Sequence, residues 1–190
     1  MNELEQYIQS YFGVAQKNEI EIISSFFKPN FQDKGHYFLK AGQYCNKLSF
    51  VQSGIFRISA IGNGKEITQW ISTKGYFITD LSSFVFDVPA RWTIQALSDS
   101  EIYTISKADY LKIGNLLPKW TELEKLFIIK CFTFLEDRIF SHLSMTAEER
   151  YQFFFERNQE LFNSVPLQYI ASMLGMTPET LSRIRKKQLS

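Results

Sequence analysis

Residues 165–187 read VPLQYIASMLGMTPETLSRIRKK, and the spacing inside this stretch decides how the chain is organised. Ile170, Ala171 and Leu174 fall on one face of a first helix, and Met176, Leu181 and Ile184 form the apolar side of a second. Two short helices that cross steeply need a small residue at their contact, which Ala171 supplies. They also need a residue that tolerates positive φ at the turn, which Gly175 supplies. Thr177 then stands at an N-cap, with Pro178 at the first helical position. This is the spacing of a helix-turn-helix, whose second helix enters the major groove of DNA. The alternative is a helical hairpin with a basic end.

Charge distribution bears on that choice. The chain has 190 residues and a formal net charge of +1, which is little for a nucleic-acid binder. From Thr180 to Ser190, however, there are four basic residues (Arg183, Arg185, Lys186 and Lys187) and no acid; without those four the remaining residues stand at −3. A near-neutral or acidic body with a basic tip is the pattern of a localised phosphate-facing surface.

The rest of the chain falls into zones. Residues 1 to about 28 carry helical periodicity: Leu4, Tyr7, Ile8 and Tyr11 share a face, Gly13 fits a helix stop, and Ile20, Ile23 and Phe27 continue. From about 30 to 105, strand-like runs alternate with turn glycines, and Asn63-Gly64 signals a tight hairpin. Many short strands at this spacing predict a β-sandwich or barrel. Ser106–Asp109 opens a short helix that ends before Pro118, and Thr146–Glu149 opens another with Tyr151, Phe154 and Phe155.

Between them a long helix is predicted over about Lys119–His142. Trp120, Leu123, Phe127, Cys131, Phe134 or Leu135, and Ile139 recur every three or four residues; Leu126, Ile128, Ile129, Phe132 and Phe140 widen the apolar surface. A helix apolar on several sides needs a second cover, for which symmetric pairing with another copy is the simplest source. The other reading is a helix wholly inside its own chain's core. Cys131 is expected in the core, and Cys45 and Cys131 show neither metal nor disulfide spacing. The N-terminus has no signal-peptide pattern, and no apolar run approaches the roughly 18 residues needed to span a bilayer, so a cytoplasmic, membrane-free protein is expected.

A glycine-punctuated β-roll, a long central helix and a terminal helix-turn-helix together resemble the Crp/Fnr family of bacterial transcription regulators. The resemblance is most specific in KGHYFLKAGQ (34–43), LSFVQSGIFRI (48–58) and GMTPETLSRIRKK (175–187). It implies an α+β fold in three parts: a cyclic-nucleotide-binding-like jelly roll with flanking helices (1–117), a central dimerisation helix (118–143) and an all-α helix-turn-helix domain (144–190). It also implies a homodimer on double-stranded DNA. An unidentified small-molecule effector and RNA polymerase are the further partners it admits.

The family's recognition helix uses a Glu, a Ser or Gly, and an Arg, matched here by Glu179, Ser182 and Arg183. Helical geometry agrees: with Leu181 and Ile184 inward, Glu179, Ser182, Arg183 and Lys186 face outward. A carboxylate can accept from cytosine N4, and an arginine can grip guanine O6 and N7. Thr177 and Thr180 sit where hydroxyls meet phosphate at a helix N-terminus, and Lys186 and Lys187 add phosphate contacts. Glu179 has an alternative role as a first-turn acid favoured by the helix dipole, or as an orienting partner of Arg183.

The chain departs from the family in two places. The nucleotide cassette, Gly-Glu followed by Arg-Ser/Thr-Ala, is matched only loosely in GYFITDLSSFVFDVPARWTIQA (75–96). Asp80 stands one methylene short of the Glu, Thr79 replaces the small Gly, and Trp92 follows Arg91 where a Ser or Thr belongs. An effector pocket, if one exists, would involve Gly75, Asp80, Leu81, Arg91, Trp92 and Thr93, and cyclic AMP is not the expected ligand. Arg91 has three other readings: a pair with Asp80, a pair with Asp87, or a surface position. The sequence also stops three residues past Lys187, where the family usually adds a β-hairpin wing, so a shallower salt dependence is expected. Iron–sulfur, haem and metal centres lack their ligands, no catalytic motif appears, and neither cofactor nor enzymatic activity is expected.

Overall fold

The Asn2 side chain accepts from the Glu5 N–H while the Glu5 carboxylate accepts from the Asn2 N–H, and this capping box starts α1 (Glu3–Phe12). Gly13, at φ 65°, ends it in the left-handed conformation. The structure is a computed structural model and describes residues 1–14 and 16–189. α1 buries Leu4, Ile8 and Phe12, and α2 (Lys17–Ser25) buries Ile20 and Ile23. The helical zone therefore ends a little before the expected residue 28, because Lys28 already pairs as the first residue of a strand.

Eight strands follow among the described residues: β1 (Lys28–Gln32), β2 (Tyr37–Leu39), β3 (Lys47–Ser53), β4 (Phe56–Gly62), β5 (Lys65–Ser72), β6 (Phe77–Ile78), β7 (Thr93–Ala96) and β8 (Ser100–Ser106). They form two four-stranded sheets, ordered β1-β8-β3-β6 and β2-β7-β4-β5. The first is antiparallel at each described pairing, with Lys28 opposite Thr104, Leu48 opposite Ile105 and Ser49 opposite Ile78. Asn63 and Gly64 both take positive φ, 51° and 72°, as the two central residues of a primed hairpin turn require. At Gly54 a Cβ would stand 2.0 Å from Ser100 Oγ and 2.8 Å from the Asp99 carbonyl, so this crossing admits only glycine.

The strand zone also contains α3 (Leu81–Phe86), a short helix that strand periodicity did not anticipate. α4 (Lys107–Leu116) starts at Ser106, whose hydroxyl accepts from the Asp109 N–H. The long helix α5 runs Trp120–Ser144, and α6 (Ala147–Arg157) opens on the Thr146/Glu149 capping box. Short α7 (Leu161–Ser164) leads to α8 (Leu167–Met173) and α9 (Pro178–Leu189).

The chain divides into two compact units, residues 1–58 with 72–132, and residues 59–71 with 133–190. The first unit packs on a core in which α1, α2, α4 and the start of α5 meet Leu48, Phe50 and Ile105 of the first sheet. Within it Phe12 stacks on Phe127 at 4.9 Å and on Trp120 at 5.3 Å. In the second unit Tyr151, Leu161, Phe162, Ile170, Leu181 and Ile184 are buried. Trp70 of β5 meets Phe134 of α5 edge to face at 5.1 Å.

One alternative reading of α5 falls away and one expectation needs correction. The intrachain-core reading fails, because only Trp120, Leu123 and Phe127 are buried and a row from Leu126 to Leu143 is exposed. Cys131 is half-buried rather than core, and burial pushes its thiol up to about 11. Among the described residues no helix is long and apolar enough to cross a membrane.

Candidate functional site

The terminal helix pair is built by its turn. Ile170, Ala171, Met173 and Leu174 are buried, and the chain reverses at Gly175, whose φ is 68°. Thr177 Oγ1 accepts from the Thr180 N–H at 3.2 Å, so Thr177 is the N-cap of α9 and Pro178 its first residue. Leu181 and Ile184 are buried beneath α9, while Glu179, Ser182, Arg183, Lys186 and Lys187 are exposed and Thr180 is half-buried. The outward face therefore presents one carboxylate, one hydroxyl and three cations.

Two residues of this face already have partners. Glu179 is held below the usual carboxylate range by its own backbone N–H and then by the Thr177 hydroxyl, which is the first-turn arrangement that a helix dipole favours. Lys187 Nζ lies 3.2 Å from both carboxylate oxygens of Glu148 on α6. The Thr177 and Thr180 hydroxyls share a hydrogen bond of 3.2 Å.

Segment 75–93 is arranged around one buried acid. Asp80 is 2% exposed and caps α3: its Oδ1 accepts from the Ser83 N–H at 3.0 Å. Its Oδ2 accepts from the N–H groups of Arg91, at 2.9 Å, and Trp92, at 3.1 Å. Both carboxylate oxygens thus hold the loop 87–92 against the start of α3. The Arg91 side chain is exposed, with its guanidinium carbon 4.8 Å from the Trp92 ring centre. Asp87, left-handed at φ 53°, pairs with Lys107 at 2.7 Å. Of the three readings of the Arg91 side chain, the surface position is the one seen.

Gly75, at φ 88°, donates its N–H to the Val51 carbonyl. Leu81 packs against the core of the first unit, and Thr93 Oγ1 accepts from the Ala41 N–H at 3.1 Å. The six residues expected around an effector are thus engaged mainly in holding the loop together. A cyclic nucleotide, which the fold implies, needs a carboxylate for its ribose and a cation for its phosphate. Asp80 already serves three backbone donors and Arg91 lies over an indole at the surface, so these residues do not fit that ligand.

Sequence reasoning missed the residues that surround the turn before α9. Arg150 Nε donates to the Leu174 carbonyl at 2.9 Å, and its Nη1 donates to the Met145 carbonyl at 2.7 Å. The Arg138 guanidinium lies 5.3 Å from the Trp70 ring centre, and its Nη2 reaches the Met173 carbonyl at 3.5 Å. The Thr68 N–H donates to Ser172 Oγ at 2.9 Å. Basic groups near the end of α8 suit its dipole and orphan carbonyls, but no local periodicity signals partners so distant in sequence.

Residues 31–115 match the family model of the cyclic nucleotide-binding domain. No curated protein sequence matches the chain significantly. Among solved structures, the chain is similar to FixK2 from Bradyrhizobium japonicum at 17% identity and a TM-score of 0.68, covering 85% of this chain and 83% of that one. It is similar to the c-di-GMP-responsive global regulator CLP of Xanthomonas campestris at 16% identity and a TM-score of 0.65, covering 92% of each chain. The catabolite activator protein of Thermus thermophilus gives 19% identity and a TM-score of 0.58, covering 93% of this chain and 85% of that one. The chain spans only 40% of the cAMP-bound kinase regulatory chain PfPKA-R. The mixed fold is thus that of a cyclic nucleotide-binding β-sandwich with helices, and its structural neighbours include regulators of the Crp/Fnr kind.

Proposed function

We propose that this chain is a cytoplasmic, homodimeric, sequence-specific DNA-binding transcription regulator of the Crp/Fnr type, without enzymatic activity. The observation that carries the reading is the two-sidedness of α9: Leu181 and Ile184 anchor it while Glu179, Ser182, Arg183 and Lys186 face solvent. In this reading residues 1–117 form the effector-type β-roll, 118–143 the dimerisation helix and 144–190 the DNA-binding domain. Arg183 grips a guanine, Ser182 and Glu179 contact neighbouring base edges, and Thr177, Thr180, Lys186 and Lys187 meet phosphates. Lys187 exchanges Glu148 for phosphate on binding.

The exposed row on α5 supports the dimer. Ile128, Phe132, Leu135 and Ile139 are 47%, 59%, 44% and 59% exposed and follow a 4-3-4 spacing, which makes one continuous seam for a parallel partner helix. A two-fold pair of such chains presents its recognition helices to successive major grooves about 34 Å apart, hence to a palindromic site. Any effector of the β-roll is not cyclic AMP, given the engagement of Asp80. RNA polymerase is the downstream partner of such a regulator.

Footprinting on the DNA upstream of the protein's own gene, with unrelated competitor present, tests the reading. Protection of a palindrome with half-sites one helical turn apart is the expected result. Binding that competitor removes completely would overturn it.

A further inference from the structure

The turn before α9 is held from three directions within the second compact unit. From α5, Arg138 reaches the Met173 carbonyl, and the His142 ring lies 3.3 Å from where a Cβ on Gly175 would stand. From α6, Arg150 takes the Leu174 carbonyl. From the β4–β5 hairpin, the Thr68 N–H donates to the Ser172 hydroxyl and Trp70 packs against both Phe134 and Arg138. The third direction is unexpected. A hairpin of the β-sheet contributes residues 59–71 to the same compact unit as α6–α9.

Chemistry ranks these contacts. Arg138 is half-buried, and loss of water makes its charged form less favourable, so its place must be compensated by the indole face and the carbonyl at the end of α8. β5 lies at the edge of its sheet, where an outward N–H needs a partner or water, and Ser172 supplies one for Thr68. Trp70 and Arg138 make this a connection between β5, α5 and the turn, and not a chance side-chain approach.

We propose that Arg138 and Trp70 are positioning residues for the terminal helix pair: the β4–β5 hairpin, acting through them, fixes the direction of α9 relative to the C-terminal half of α5. They touch no base or phosphate themselves. Their effect on DNA is on specificity, because a tilted α9 misplaces Arg183 against base edges while leaving its charge near the phosphates. The inference rests on the DNA-binding reading for that last step only.

The test uses the full-length chain with Arg138→Met, Arg138→Lys and Trp70→Leu, and two readouts. In hydrogen exchange without DNA, Arg138→Met and Trp70→Leu are expected to deprotect amides of residues 170–176 while those of Phe50 and Ile105 keep their protection. Unchanged exchange at 170–176 would overturn the proposal whether or not the protein binds DNA. The second readout compares a duplex selected from a randomised pool by the unmodified protein with a scrambled duplex. Arg138→Met should lose about tenfold on the selected duplex and less than about twofold on the scrambled one, as for a misread base pair, and Arg138→Lys should recover part of the loss. Equal losses on both duplexes would show a general structural role and overturn the positioning role. If the unmodified protein selects no duplex, the DNA reading fails, and hydrogen exchange alone decides the hairpin's hold on the turn.

Discussion

Segments 75–93 and 165–187 each place an acid at the start of a helix, Asp80 before α3 and Glu179 in the first turn of α9. Asp80 is buried and accepts from three backbone N–H groups, those of Ser83, Arg91 and Trp92. Glu179 is exposed and accepts from its own N–H and the neighbouring Thr177 hydroxyl. A carboxylate that holds a loop together is costly to redirect toward a ligand, because each donor it abandons is left unpaired in the interior. One that lies on a helix end at the surface can turn outward at little cost. The same functional group is structural in one segment and faces solvent in the other.

That contrast can be broken most sharply by removing both acids. Asp80→Ala should lower unfolding free energy by about 2–4 kcal/mol, since buried donors lose their acceptor and α3 loses its cap. Urea denaturation followed by circular dichroism reads this, and a midpoint equal to the unmodified protein's would remove Asp80 from its structural role. Glu179→Ala should shift the same midpoint far less and should alter which duplex is preferred.

Arg183→Ala is next in size. It should weaken binding to a selected duplex by about 1–3 kcal/mol and blur one base position, without a shift in denaturation midpoint. Equal binding to all single-base variants before and after the change would dismiss Arg183 as a base reader. Lys186→Ala should instead weaken all duplexes alike and reduce the salt slope by about 1.

Acid brings a smaller effect of predictable sign. Three helix-start carboxyls sit below their ordinary values: Asp109 through Lys112 and then Ser106, Glu149 through the Thr146 N–H and then its hydroxyl, and Glu179 as above. A lowered carboxyl stabilises the fold above its unfolded value, and the contribution is lost as pH falls through the lower folded value. Stability should therefore be level near neutrality and decline below about pH 4. Glu149→Gln should flatten that decline; an unaltered acid limb would exclude this box as a contributor. Smallest is the thiol effect: with Cys131 raised to about 11, alkylation of the native protein near pH 7 should be slow and should accelerate on unfolding.

Legibility in sequence followed range. The turn at Gly175, the cap at Thr177, the I′-type pair at Asn63-Gly64, the one-way cap at Ser106 and the box at Thr146 are local chemistry, and each was readable from neighbours three or four residues away. The outward face of α9 followed from helical period alone. The role of Asp80 was not visible: strand periodicity did not anticipate α3, which it caps, and its bonds to Arg91 and Trp92 span eleven and twelve positions across that helix. The Thr68–Ser172 bond spans 104 positions, and neither residue type announces it. Contacts of that length are set by how whole elements pack, for which a single sequence has no period to read.

The bare apolar row on α5 carries a thermal consequence. Whatever covers Ile128, Phe132, Leu135 and Ile139 removes hydrocarbon from water, and such burial has a negative heat-capacity change and is entropy-driven near room temperature. Assembly along that row should therefore loosen when the solution is chilled, so a protein that is paired at growth temperature can come apart on ice.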